Sequence, residues 1–174
     1  QGYRQGSYRL VPLTAANFAR QIDELYTRYD WQVNCAQLNL LDSHDTARAL
    51  WIVGDEQSAL RLCVLCQMTM PGAPCIFYGD EIGMSAGKDP FCRAAFPWHD
   101  QDRWDHDLLA FYSQVITLRH RHPALRTGTF QRLHASGGVY AFARTLPQQC
   151  AVVIVNMQRR TAIIDLDVTG IVPP

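Results

Sequence analysis

The residues of this chain best suited to chemistry come in three pairs. His44 and Asp45 stand side by side in Asn39-Leu40-Leu41-Asp42-Ser43-His44-Asp45-Thr46, where a short apolar run ends in a polar turn. Asp80 and Glu81 end a second such run, Pro74-Cys75-Ile76-Phe77-Tyr78-Gly79-Asp80-Glu81. Asp89 and Arg93 lie four apart in the segment rich in glycine and proline that follows. Carboxylates beside a histidine or an arginine can accept hydrogen bonds from hydroxyls, stabilise developing positive charge or exchange protons. Polar side chains just past the C-terminal ends of apolar strands are also how a parallel β/α barrel presents its chemistry. A bland alternative stands beside each pair: His44 and Asp45 can cap their own turn, and Asp89 with Arg93 can pin a loop. Ser43-His44-Asp45 holds the residue types of a hydrolase triad, but three consecutive residues rarely achieve the separate Ser-His and His-acid bonds that a triad needs.

Alternating elements must position these pairs. Thr14 is placed to cap a helix whose apolar residues Phe18, Ile22, Leu25 and Tyr29 form one stripe. Residues 33–41 read as a strand. A helix over 55–70 is apolar almost all round, so it should be covered on two sides, and Pro71-Gly72 stops it. Residues 75–78 read as the next strand, followed by a loop over 79–103 of more than 20 residues, a length that is often functional. A third long helix over 105–120 turns Leu108, Tyr112, Val115 and Leu118 or Arg119 inward and stops at Pro123. From Thr127 the period becomes that of strands, over 129–133, 139–143, 151–155 and 163–166, with Ser136-Gly137-Gly138 as the clearest turn. Strands in a run after strand-helix units mark a second domain.

The two apolar runs carry a resemblance. Asn39 to Thr46 resembles the last signature region of the α-amylase family of glycoside hydrolases, where a His-Asp pair follows the seventh barrel strand. Pro71-Gly72-Ala73-Pro74-Cys75-Ile76-Phe77-Tyr78-Gly79-Asp80-Glu81 resembles that family's eighth strand and its exit loop. Asp89-Pro90-Phe91-Cys92-Arg93 and Phe96-Pro97-Trp98 are similar to the loop that follows in neopullulanases, cyclomaltodextrinases and maltodextrin glucosidases. The resemblance covers nearly the whole chain. It implies an α/β fold: the C-terminal portion of a (β/α)8 TIM barrel over residues 1–126, beginning near the sixth helix, then part of an all-β sandwich domain over 127–174.

The activity implied is retaining hydrolysis of α-glucosidic bonds in maltodextrins, cyclodextrins or pullulan. Its nucleophile and general acid belong to the fourth and fifth barrel strands, outside these residues. Asp45 is implied as the transition-state stabiliser, accepting hydrogen bonds from the 2- and 3-hydroxyls of the sugar being cleaved, and His44 as a donor to the same sugar. Asp89 and Arg93 are implied to bind the next glucose. Ala94 and Ala95 stand where those relatives often carry a second basic residue, so no sugar contact carries over there. Asp80, Glu81 and Arg48 are expected to support the site, with Arg48 either reaching a distal sugar or pairing with Asp42. Phe91, Trp98 and Trp104 are open to sugar stacking or to plain packing. No cofactor and no metal ligand is expected among these residues. Its partners are an α-glucan oligosaccharide and the remainder of the barrel. Two rivals remain: a non-catalytic amylase-like binding or transporter-associated subunit, against which His44-Asp45 argues, and a self-contained α/β interaction domain.

Composition excludes other classes. With 16 basic and 16 acidic residues, no basic block and no acidic tail, the chain offers nucleic acid no footprint. Arg119-His120-Arg121-His122 falls at a helix end, where cations complement the macrodipole. His120 and His122 are two apart on a helix and diverge, which argues against a shared metal. Six cysteines are scattered; Cys63 and Cys66 form a C-x-x-C inside an apolar helix with no second pair, so free thiols and a reducing, cytoplasmic compartment are expected. No apolar run approaches the roughly 20 residues of a membrane span, and no membrane partner is expected.

Overall fold

Thr14 Oγ1 accepts from the Asn17 backbone N–H at 3.2 Å and opens helix α1, Ala15–Thr27. In this computed structural model the described residues are 4–5, 8–9 and 11–171. Before α1, β1 (Arg4–Gln5) and β2 (Tyr8–Arg9) pair antiparallel. After it come α2 (Trp31–Ala36), β3 (Leu38–Leu40), α3 (Ala49–Ile52), α4 (Gln57–Thr69) and β4 (Ala73–Cys75). Three 3-10 turns punctuate the long loop before α5 (His106–Arg121) and α6 (Pro123–Thr127). The chain then forms β5 (Thr129–Ser136), β6 (Val139–Leu146) and β7 (Gln149–Asn156). These elements divide into two compact units, one built mainly from Asn39–Met68 and Pro74–Thr117, the other from Pro12–Leu38, Thr69–Ala73 and the residues after Leu118.

In the first unit β3 and β4 are hydrogen-bonded neighbours. Leu41 and Ile76, the residues just past the two strands, pack against a core of Leu50, Leu60, Val64, Met68, Leu108, Tyr112 and Val115, drawn from α3, α4 and α5. No residue of α4 from Ala59 onward is exposed, as its all-round apolar surface requires. Gln67 and Thr69 are the buried polar side chains of α4, and Gln67 has a clear structural use. Its Nε2 donates to the Asn39 and Cys75 carbonyls, both at 3.0 Å, and so ties the helix to both strands.

The second unit is an antiparallel sheet in the order β5-β6-β7 with α1 and α6 against it. Residues 139–144 of β6 are all buried, as expected for a central strand. The two-residue turn between β5 and β6 uses Gly137 and Gly138, with φ of 57° and 77°, the left-handed pair that tight hairpins demand. Arg144 is wholly buried and spends its guanidinium on the backbone. Nε donates to the Thr129 carbonyl at 3.1 Å, Nη1 to Thr69 at 2.7 Å and Leu125 at 2.9 Å, and Nη2 to Gly128 at 2.9 Å.

Four expectations are corrected. Residues 33–41 do not form one strand, because Asn34 is buried and its Nδ2 donates to the Tyr26 and Tyr29 carbonyls, closing the end of α1 with a second helix. The strand expected over 75–78 lies at Ala73–Cys75, because the Tyr78 carbonyl accepts from Arg48 instead of joining a ladder. Leu25 and Tyr29 are exposed, since α1 packs through Ala15, Ala19 and Phe18, the last edge-on against Tyr140. Residues 163–166 form no strand; alternation supplies a face but no partner for the ladder, and Ile163 is 95% exposed.

Candidate active site

The turn after β3 is built before any ligand is considered. Asp42 is buried, and its Oδ2 accepts from the Ala49 N–H at 2.6 Å, capping α3 from across the loop. Between these two anchors Ser43 and Thr46 bond to each other, Ser43 N–H to Thr46 Oγ1 at 2.9 Å and Thr46 N–H to the Ser43 carbonyl at 3.2 Å. The Asp45 N–H donates to Ser43 Oγ at 3.2 Å. These bonds use the Ser43 and Thr46 side chains, while the His44 and Asp45 side chains point outward, 65% and 72% exposed, with Nε2 and Oδ2 3.2 Å apart.

The loop after β4 meets this turn. Arg93 Nε donates to the His44 carbonyl at 3.0 Å and forms an ion pair with Asp89, Nε to Oδ1 at 3.0 Å, and Arg93 Nη2 lies 3.9 Å from Asp45 Oδ1. Cys92, wholly buried beside Arg93, directs Sγ at the same carbonyl at 3.9 Å. His44, Asp45, Asp89 and Arg93 therefore converge on one exposed rim, although the two pairs are over 40 residues apart in sequence. The Asp89-Pro90 peptide is cis.

Arg48, Asp80 and Glu81 lie beneath the rim. Arg48 is fully buried, so it does not reach out to a sugar, and its partner is Asp80 instead of Asp42: Nη1 is 3.1 Å from Asp80 Oδ1 and 2.7 Å from the Tyr78 carbonyl. Its guanidinium lies over the Phe77 ring at 4.6 Å and the Tyr78 ring at 5.0 Å. Glu81 turns back, its Oε2 accepting from the Gly79 N–H at 2.8 Å. Burial pushes the Asp80 carboxyl up to about 9, helped by the neighbouring Asp42 and opposed by Arg48. Trp98 is 67% and Phe91 63% exposed, although the Trp98 ring packs on Phe96 at 4.3 Å between centroids, and Trp104 Nε1 donates to the Pro97 carbonyl at 3.1 Å with its ring edge-on to Phe96.

A cavity of about 260 Å³ opens behind the loop, lined by Arg48, Met84, Ser85, Phe91, Ala94 and Arg103 among others, and none of the four rim residues lines it. The rim, where the charged groups gather, is the candidate site. Nothing in the sequence marks the roles of Cys92 and of Asp42 as a cap, since Asp42 lies seven residues before Ala49 and local capping patterns reach only about two or three.

The chain that carries this rim is similar in sequence and fold to known enzymes. Residues 1–103 match the catalytic domain of alpha amylase. The chain belongs to the α-amylase family. It is 42% identical over 144 residues to a cyclomaltodextrinase of a Bacillus species, covering 82% of this chain and 26% of that protein. It is 37% identical over 160 residues to neopullulanase 2 of Thermoactinomyces vulgaris, covering 90% and 27%. Among solved structures, the debranching enzyme of Nostoc punctiforme superposes with a TM-score of 0.88 at 41% identity, covering 93% of this chain and 33% of that one. The chain thus spans about a quarter to a third of such relatives. Its fold is an α/β part of the family's TIM-barrel architecture joined to an antiparallel sheet. Among the described residues no helix is long and apolar enough to cross a membrane.

Proposed function

We propose that these residues are the C-terminal part of a retaining α-glucan hydrolase that cleaves α-glucosidic bonds in maltodextrins, cyclodextrins or pullulan. The observation that carries this reading is the convergence of Asp45, His44, Asp89 and Arg93 on one open rim. Asp45 is the transition-state stabiliser. Its exposed carboxylate accepts from sugar hydroxyls, and those bonds strengthen as the ring flattens toward an oxocarbenium ion. His44 donates to the same sugar, and its 3.2 Å contact with Asp45 sets the ring's orientation. Asp89 and Arg93 grip the next glucose, the guanidinium forking to hydroxyls while the carboxylate fixes its plane. Nucleophile and general acid come from barrel strands outside these residues, and the remainder of the barrel is the partner that brings them. Residues 127–174 begin the C-terminal sandwich domain. A cytoplasmic setting is supported by six cysteines that are all free thiols.

The deciding experiment is Asp45→Asn in the complete enzyme. Loss of a bond that is strongest in the transition state should lower kcat by on the order of 100-fold and move KM far less. A non-catalytic binding subunit predicts instead that the wild-type protein binds maltodextrin without turning it over.

A further inference from the structure

Asp42 and Asp80 leave the ends of β3 and β4 and are both buried, 5% and 3% exposed. Asp42 Oδ2 is taken by the Ala49 N–H, while its Oδ1 is buried and receives no N–H or O–H. Asp80 Oδ1 is taken by Arg48. The two carboxyl groups are within hydrogen-bonding reach of each other. Ionised carboxylates only accept, so this contact is repulsive unless a proton lies in it. Charge counting agrees. Two ionised acids and one arginine would leave a net negative charge in a buried cluster, whereas one shared proton makes it neutral.

We propose that Asp80 is a neutral carboxylic acid whose O–H donates to Asp42 Oδ1, and that this hydrogen bond ties the exit of β4 to the exit of β3, holding in place the turn that presents His44 and Asp45. Asp80 is then a positioning residue. Arg48 on Oδ1 leaves the other oxygen to carry the proton, and the charged acceptor makes the bond a strong one. The other groups facing the pair do not replace that proton. Tyr112 of α5 has a buried hydroxyl without a partner, and burial raises it further from ionisation, with Asp80, Asp42 and Glu81 adding to the effect. Glu81 is turned to Gly79.

The consequence has a definite sign. An acid held in the folded state above its ordinary range contributes stability that is full below that range and is lost as pH rises, here until about pH 9. Above that pH two carboxylates confront one guanidinium and the tie is gone. In Asp80→Asn the amide can still donate to Asp42 and accept from Arg48, but it does not titrate.

The test is infrared spectroscopy of the full-length enzyme labelled with carbon-13 aspartate. Wild type should show the carbonyl stretch of an un-ionised aspartic acid at neutral pH, fading as pH passes about 9, and Asp80→Asn should lack it. Asp42→Asn, which exchanges the neighbouring charge for an amide donor, should lower the midpoint of that band, so the test survives failure of the first variant to fold. Absence of the band in wild type, its persistence in Asp80→Asn, or an unmoved midpoint in Asp42→Asn would overturn the shared proton. The positioning role rests on the hydrolase reading of the rim. It requires the ratio of wild-type kcat to that of Asp80→Asn to fall as the band fades, since loss of the general acid's proton lowers both alike, and a ratio constant with pH would overturn it. Absence of glucan turnover in wild type would count against the hydrolase reading alone, since the infrared measurement needs no substrate.

Discussion

Arg93 divides its guanidinium between two jobs, and the division separates the roles of its neighbours. Nε holds the His44 carbonyl and Asp89, while Nη2 stands at 3.9 Å from Asp45, too far for a hydrogen bond and near enough to steer the carboxylate. Both partners of the Asp89-Arg93 pair are about half exposed, so the ion pair itself contributes at most about 1 kcal/mol to stability. Asp89→Ala should therefore leave the thermal unfolding midpoint nearly unchanged. Its effect should appear in KM for longer oligosaccharides, because the residue grips a sugar beside the reacting one. Steady-state kinetics on maltotriose and a longer maltodextrin check this. A kcat loss equal to that of Asp45→Asn would contradict separate roles.

At the scale of elements, the parts legible in the sequence are those where local pattern and burial agree. Thr14, the all-round apolar run of α4 and the inward Leu108, Tyr112 and Val115 of α5 read correctly because period and cap chemistry are local. The Ser136 turn is legible for the same reason: two glycines at left-handed φ admit few alternatives. The misreadings sit where one buried side chain overrides the pattern. Asn34 turns an apparent strand into a helix, and Arg48 pulls Tyr78 out of β4. His44-Asp45 was legible from its place after an apolar run and Asp89-Arg93 from the family resemblance of the loop, but that Arg93 bridges both was not, since spacing across 49 residues carries no geometry. Arg144 is the strongest case of a signal that sequence hides, a cation inside a strand whose four bonds all go to carbonyls. Arg144→Met should leave those carbonyls buried without donors and destabilise the protein by about 3 kcal/mol or more, read as a shifted denaturant midpoint. Arg144→Lys should recover only a fraction, because a point charge cannot replace a planar fork. An unshifted midpoint in Arg144→Met would show that those bonds add nothing net.

At the scale of the whole molecule, the chemistry on the rim is incomplete by count. Retaining hydrolysis needs a carboxylate to attack the anomeric carbon and a protonated carboxyl to receive the leaving oxygen. Asp45 is held among an arginine and a histidine as an acceptor, and Asp89 is committed to Arg93. Asp80 is buried beneath them, and Glu81 is bonded to the Gly79 backbone. None of these acids is both accessible and uncommitted, as a nucleophile or a general acid must be. The chain's coverage of 26% of a cyclomaltodextrinase and 33% of a debranching enzyme is consistent with the missing pair lying on other strands. Leu38 and Leu40 of β3, 63% and 53% exposed, leave apolar surface for such strands to cover. The 174 residues alone should therefore hydrolyse maltotriose and cyclodextrin no faster than buffer, because charge stabilisation without a nucleophile or proton donor leaves the glycosidic oxygen unprotonated. Adding the remaining barrel, as the complete enzyme or as a co-expressed partner, should restore turnover. Hydrolysis by the isolated chain that survives repurification would place nucleophile and acid within these residues and would require a different catalytic assignment for the rim.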